Sequence, residues 1–321
     1  MKLVCTSEAS IGSFALRLGC LVVHWLKVGR KMSKALGSKK VIITGATGAI
    51  GQSLVPILLK NGYEIQAVTR DLKNAKKLNW YNDVDFVQLD INHPPNKLEI
   101  NPEIGVIHLA WEGLPNYKAE FHVGENLPSS YNFIKYLVEQ GSKHILITGT
   151  CAEYGMQHGK INSYALTQPN TQYAYAKDAL HKQLRFLQQH HHFDFKWARL
   201  FYFYGGGGVR TNSIIKLLDK AIDNNEETFN MSGGEQLRDY LSIEEVVQQL
   251  FSLYENYKDG IFNICSGEPI SIKRLVEDHI KKRESRIKIN LGYHPYLDYE
   301  PMAFWGEKDI SLHKLKYNTD E

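Results

Sequence analysis

The sequence predicts an α/β protein with a doubly wound parallel Rossmann sheet and a smaller C-terminal substrate lobe. Three observations carry this reading. Short apolar runs alternate with helix-length segments from Lys39 onward. The first run leads straight into a glycine-rich turn, Thr44-Gly-Ala-Thr-Gly-Ala-Ile-Gly51. The alternation then stops after Gly205-Gly-Gly-Gly208.

The elements follow in order. Val41-Ile-Ile-Thr44 is a short apolar strand, Gln52 to Lys60 has helical character, and Asn61-Gly62 supplies a helix stop. Glu64-Ile-Gln-Ala-Val68 resumes as a strand. Further apolar runs at Phe86–Leu89, Val106–Leu109, His144–Ile147 and Phe195–Leu200 are separated by helix-length segments, as right-handed crossovers require. Beyond Gly208 come a helix-like run from Ser213 to Asn224, a turn at Ser232-Gly-Gly234, a helix at Ile243 to Tyr257 and a strand at Ile261-Phe-Asn-Ile264. The tail from Tyr293 to Trp305 is aromatic and marked by proline, and its aromatics read equally well as core. The resulting division is an N-terminal extension over 1–37, a dinucleotide-binding domain over 38–204 with a return at about 237–265, and a C-terminal lobe over 205–321.

Composition excludes several classes. The chain has 321 residues, 43% hydrophobic and 23% charged, enough to bury a substantial core. A net charge of +3, with no basic stripe interleaved with aromatics, gives no sign of nucleic-acid binding. Cys5, Cys20, Cys151 and Cys265 form no CxxC pair and no metal-type spacing with histidine, so they read as reduced thiols of a cytoplasmic protein that binds no metal. The apolar stretch from Ile11 to Leu26 is broken by Arg17 and His24, too interrupted to span a bilayer, and no stable membrane insertion is expected. His190-His-His192 reads as a solvated helix end.

Gly45, Gly48 and Gly51 form a GxxGxxG turn between a strand and a helix, the context in which such a turn binds a dinucleotide. Amides at the helix start attract a pyrophosphate, and missing side chains let it approach. Thr47, Ala49 and Ile50 belong to the same turn. Where an acidic residue at the end of the second strand would grip the ribose hydroxyls of NAD, the sequence has Thr69 and Arg70. A guanidinium suits a 2′-phosphate, so this reading favours NADP(H) over NAD(H), with the adjacent Asp71 as the residue that could reverse it. Further along, Tyr173 and Lys177 are spaced YxxxK, one helical turn apart, and follow a lone Thr150. An ammonium beside a phenol favours its ionised form, and such a phenol can trade a proton with a carbinol while hydride moves to or from a cofactor.

These residues, in this order, resemble the extended short-chain dehydrogenase/reductases of the NAD-dependent, nucleotide-sugar epimerase/dehydratase family over nearly everything from Lys39 onward. The resemblance implies that Asp90-Ile91 lies against the adenine, that Leu109 and Ala110 in His108-Leu-Ala110 line the cofactor, and that Asn126 supports the active site. It implies Thr150, Tyr173 and Lys177 as the catalytic set, with Lys177 also on the nicotinamide ribose, and Arg238 in Arg238-Asp239-Tyr240 as the residue that holds a substrate diphosphate. A homodimer through two long helices is implied as well.

Departures from the family pattern narrow the reaction. Sugar-nucleotide 4,6-dehydratases carry an Asp-Glu pair directly after the catalytic Thr, where this chain has Cys151 and Ala152. Glu153, one step further, is expected to point elsewhere, and Tyr202 replaces a frequent phosphate-holding Asn. The segments Gly149–Gly155, Lys196–Leu200 and Tyr299–Gly306 are similar to enzymes that reduce NDP-4-keto-6-deoxyhexoses. The sequence-level expectation is therefore NAD(P)H-dependent reduction of a nucleotide-linked 4-keto-6-deoxy sugar. Its rivals are a nucleotide-sugar 4-epimerase and a non-catalytic NAD(P)-sensing scaffold, the latter disfavoured by the retained Tyr173 and Lys177.

Overall fold

Alternation of side chains along buried strands determines how this chain layers. The computed structural model describes residues 39–93, 98–207, 213–256 and 259–309; the expected extension over 1–37 lies outside these residues. In chain order the strands are β1 (Lys40–Thr44), β2 (Glu64–Thr69), β3 (Asp85–Gln88), β4 (Gly105–His108), β5 (His144–Thr150), β6 (Gly159–Ile161) and β7 (Asp194–Leu200). They continue with β8 (Tyr202–Tyr204), β9 (Thr228–Asn230), β10 (Leu237–Ser242), β11 (Gly260–Ile264), β12 (Pro269–Ser271), β13 (Lys288–Asn290) and β14 (Ala303–Gly306).

Seven of these form one parallel sheet in the order β11-β7-β5-β4-β1-β2-β3. Successive residues face opposite layers. Val41 and Ile43 pack with the helices Ala49–Lys60 and Ile243–Asn256, whereas Ile42 packs with the helices Leu127–Glu139 and Gln172–His190. On β5, Leu146 joins the first layer while Ile145 and Ile147 join the second. Burial of both faces explains why these strands read as continuous apolar runs. The chain winds outward from β1 to β3, then returns to β4 on the other side of β1. This switch point opens a crevice at the carboxyl ends of β1 and β4.

The helix expected from Gln52 starts at Ala49, because the glycine turn delivers Gly48 directly as its N-cap. It stops at Asn61 as the sequence signals: Gly62 adopts φ +81°, and the amides of Gly62 and Tyr63 donate to Leu59 and Leu58. The His190–His192 end of the long helix is largely solvent-facing.

A second, mixed sheet in the order β12-β10-β14-β6, with β8 paired to β10, was not visible in the sequence. Its strands are three to six residues long and several are edge pieces, so their apolar pattern is brief. Of residues 237–265, β10 lies in this second sheet, the following helix packs on the main one, and β11 enters the main one. Asp239 staples the arrangement: buried, its carboxylate accepts from the amides of Ser266 (2.7 Å), Gly267 (2.9 Å) and Gly306 (3.2 Å). The tail aromatic Phe304 is core, stacked on Phe201. Helices Ile214–Asp223 and Ile272–Lys282 enclose a separate apolar cluster around Leu218 and Val276. Among the described residues no helix is long and apolar enough to cross a membrane.

Gly51 lies where the helix passes over the turn. A Cβ there would meet Gly45 O at 2.4 Å and Ala46 Cα at 2.5 Å, both backbone. Gly51→Ala is therefore expected to cost roughly 1–3 kcal/mol of stability, measured as a lowered urea midpoint; an unchanged midpoint would contradict this packing.

Candidate active site

The glycine turn is held against the end of β4 more closely than a side chain allows. Gly45 has φ +72°, and a Cβ there would stand 2.8 Å from the amide nitrogen of Ala110. Gly48 N donates to Gly45 O at 3.0 Å, and Thr44 ties the two strand ends through His108 Nδ1 (2.8 Å) and the Ala110 amide (3.3 Å). His108 is fully buried, and desolvation lowers its pKa to about 3, so it serves as a neutral strut. The helix that begins at Ala49 has no side-chain cap and no acidic residue in its first turn. Its amides and dipole are thus uncompensated by the protein and suit an anion.

A cavity of about 450 Å³ extends from this turn. Gly45, Thr47, Gly48, Arg70, Ile91, Leu109 and Ala110 line it, together with Asn126. Asp90 does not; its carboxylate accepts from the amide and side chain of Asn92 at 3.0 and 2.8 Å, a local turn that engages it. Asp71 lines the wall, but its carboxylate caps the short helix Leu72–Ala75, accepting from Lys73 N (2.9 Å), Asn74 N (3.1 Å) and Asn74 Nδ2 (2.9 Å). Arg70, half exposed, is ion-paired with Glu112.

A second cavity of about 270 Å³ shares Gly45, Gly48, Leu109 and Trp111 with the first and adds Ala49, Ile50, Gly51, Tyr173 and Lys177. The helix Gln172–His190 positions the last two. Its N-cap Thr171 accepts from Ala174 N at 3.2 Å, and Tyr173 N donates to Tyr117 O at 3.0 Å. Tyr173, Lys177, Leu180 and Leu184 are all buried on one helix face. Lys177, only 2% exposed, donates to Thr148 O at 2.8 Å and lies 4.0 Å over the Trp111 ring. Desolvation lowers its pKa to about 7, opposed by the charge of Glu153.

Trp111 was not singled out by the sequence, although it directly follows His108-Leu-Ala110. It walls both cavities and donates its indole N–H to His122 Nδ1 at 3.1 Å. His122, buried on a five-residue π-helical segment, therefore carries its proton on Nε2, which reaches Asn116 O at 3.0 Å. Burial lowers its pKa, with the Lys177 charge acting the same way and the Asn116 carbonyl opposing. Asn126 donates to Glu112 O at 3.1 Å and so fixes the loop that carries Trp111 and Glu112.

Thr150 ends β5 and caps the short 3-10 turn Cys151–Tyr154, accepting from Ala152 N at 3.3 Å. Thr148 and Gly149 wall the second cavity, whereas Cys151 and Ala152 wall a third of about 70 Å³ shared with Tyr117, Tyr202, Tyr299 and Glu300. Thr150, between them in the chain and buried, lines neither cavity. Glu153 does point elsewhere. Wholly buried, it accepts from Arg199 Nε (2.6 Å), Trp197 Nε1 (3.0 Å) and Thr150 N (2.8 Å). Burial raises its pKa against the opposing Arg199 charge. Arg238 is 3% exposed and bound to Glu300 at 3.0 Å, with Leu237 O as a further acceptor. It lines none of these cavities, so any substrate anion must compete with Glu300 for it.

A glycine cradle at the switch point of a doubly wound sheet, opening toward a buried Tyr/Lys pair, defines an extended short-chain dehydrogenase/reductase, an NAD-dependent class of oxidoreductases and epimerases. The chain belongs to the NAD dependent epimerase/dehydratase family, whose pattern matches residues 41–265. It is similar to dTDP-6-deoxy-L-talose 4-dehydrogenase (NAD(+)) of Aggregatibacter actinomycetemcomitans, 30% identical over 271 residues that cover 84% of this chain and 99% of that protein. It is also similar to dTDP-4-dehydro-6-deoxyglucose reductase of Escherichia coli, at 28% identity over 74% of this chain and 79% of that one. Among solved structures, UDP-N-acetylglucosamine 4-epimerase from Methanobrevibacter ruminantium M1 shares the fold with a TM-score of 0.73 at 21% identity, covering 84% of this chain and 90% of that one.

The depressed Lys177 pKa makes a stability prediction. Below about pH 7 the ammonium is charged in both folded and unfolded states, and burial exacts its full penalty. Between about 7 and the ordinary 10.5, the unfolded chain binds more protons, so stability should rise with pH. Relative to Lys177→Met, the wild type should therefore gain unfolding free energy across that window; parallel pH profiles would rule out the buried charge.

Proposed function

We propose that this protein reduces the C4 carbonyl of a nucleotide-linked 4-keto-6-deoxy sugar with NAD(P)H, a step in making surface polysaccharide precursors. The observation that carries the reading is the placement of Tyr173 and Lys177 on the wall of the cavity that opens from the glycine turn, with no dehydratase acids directly after Thr150. Similarity to the dTDP-sugar dehydrogenase and reductase supports the substrate class.

The residues would divide the work as follows. Gly45, Gly48 and the first amides of the helix from Ala49 hold the pyrophosphate, and Leu109, Ala110 and Ile91 flank the rest of the dinucleotide. Bound in this way, the reduced nicotinamide supplies the hydride. Tyr173 donates the proton to the sugar oxygen, and Thr150 hydrogen-bonds the same oxygen. Lys177 holds the ribose and stabilises the phenolate that Tyr173 becomes. Arg238, once released by Glu300, grips the diphosphate. Arg70 supports acceptance of NADPH, whereas the relative named for NAD(+) supports NADH. Free, buried Cys151 and Cys265 support a cytoplasmic setting. Exposed Tyr175 and Phe186, eleven residues apart on one face of the helix Gln172–His190, support pairing of long helices in a homodimer.

The test mixes purified protein with dTDP-4-keto-6-deoxyglucose, using UDP-hexoses for comparison, and follows reduced-cofactor absorbance. One cofactor oxidised per sugar reduced is expected. Interconversion of UDP-hexoses without cofactor consumption would instead establish a 4-epimerase. Tyr173→Phe should abolish turnover while the dinucleotide still binds, measured by nicotinamide fluorescence; appreciable turnover would remove the proton-donor role.

A further inference from the structure

The wall of the large cavity carries two carboxylates and one guanidinium, and their bonding decides what the adenosine end can accept. Arg70 follows β2, the position where a cation receives a ribose 2′-phosphate and a carboxylate receives free ribose hydroxyls. The neighbouring carboxylate, Asp71, is spent: three donors from Lys73 and Asn74 fix it as a helix cap. Glu112 comes from the other side of the switch point, beyond β4, and forms an ion pair with Arg70 over the same cavity. Its backbone carbonyl is anchored by Asn126, so the carboxylate is presented from a fixed loop. Both side chains remain 44–56% exposed, leaving the pair open to an incoming ligand.

We infer that Glu112 is a specificity-determining residue: it stands in for the carboxylate missing at the end of β2 and sets the preference at the cofactor's adenosine ribose by neutralising Arg70. A 2′-phosphate must break the pair and meet an adjacent negative charge. A ribose bearing only hydroxyls adds no charge and finds in Glu112 an acceptor. Arg70 alone reads as an NADP(H) residue; the pair turns the site toward NAD(H). The inference rests on the proposed dinucleotide site and adds the residue that tunes it.

The experiment measures dissociation constants for NADPH and NADH by nicotinamide fluorescence, in wild type, Glu112→Gln, Arg70→Ala and the double variant. Gln keeps the length and loses the charge. Glu112→Gln should shift the NADPH-to-NADH affinity ratio toward NADPH by about fivefold or more at low salt, with the shift shrinking as salt is raised. In the Arg70→Ala background the same change should shift the ratio much less, because there is no cation left to release. An unchanged ratio in Glu112→Gln, with both dinucleotides still binding, would overturn the role of Glu112 and leave the proposed function standing. Failure of wild type and all variants to bind either dinucleotide would overturn both.

Discussion

The molecule is organised by one close approach: the turn after β1 lies against the end of β4 with no side chain between them. Gly45 at φ +72° leaves 2.8 Å between a would-be Cβ and the Ala110 amide. That contact sets the start of the first helix at the switch point of the sheet, with its amides facing the crevice. Thr44, bridging to both His108 and Ala110, holds the two strand ends together from the inside.

Two buried charges near the crevice differ in how fully they are paired, one satisfied on every side and the other only in part. Glu153 shows the first condition. It sits where a loop shift could have made it an acid for dehydration, yet Arg199, Trp197 and the Thr150 amide satisfy it completely. Removing a partner from such a pair strands a charge in the interior, which keeps this carboxylate structural. Lys177 shows the second condition, with a single carbonyl partner and an aromatic face. Its charge is correspondingly easy to remove and sensitive to its surroundings.

The aromatic rack of Trp111, His122 and Tyr173 stands where the two cavities meet. Trp111 walls both cavities, and its indole is oriented by a histidine whose tautomer is fixed by its second partner. Ring centroids of Trp111 and His122 lie 6.0 and 5.4 Å from that of Tyr173. The phenol is buried against these rings and also lines the second cavity. The region around Arg238 is more closed: Glu300 occupies Arg238, and the cavity that Glu300 lines measures about 70 Å³.

Local chemistry made much of this legible without coordinates. The parallel sheet follows from continuous apolar runs, the glycine turn from its spacing, the helix stop from Asn61-Gly62, and the Tyr173–Lys177 face from one helical turn. Each depends only on residues near one another in the chain. What the sequence could not decide were pairings between distant segments: Arg70 with Glu112, Arg238 with Glu300, Glu153 with Arg199, Trp111 with His122, and the second sheet assembled from β6, β8, β10, β12 and β14. The physical reason is that a charge or ring declares its type in sequence but not its partner. Which groups meet is fixed by the packing of sheets and helices, and that packing determines whether a cation is free to bind a phosphate or already satisfied.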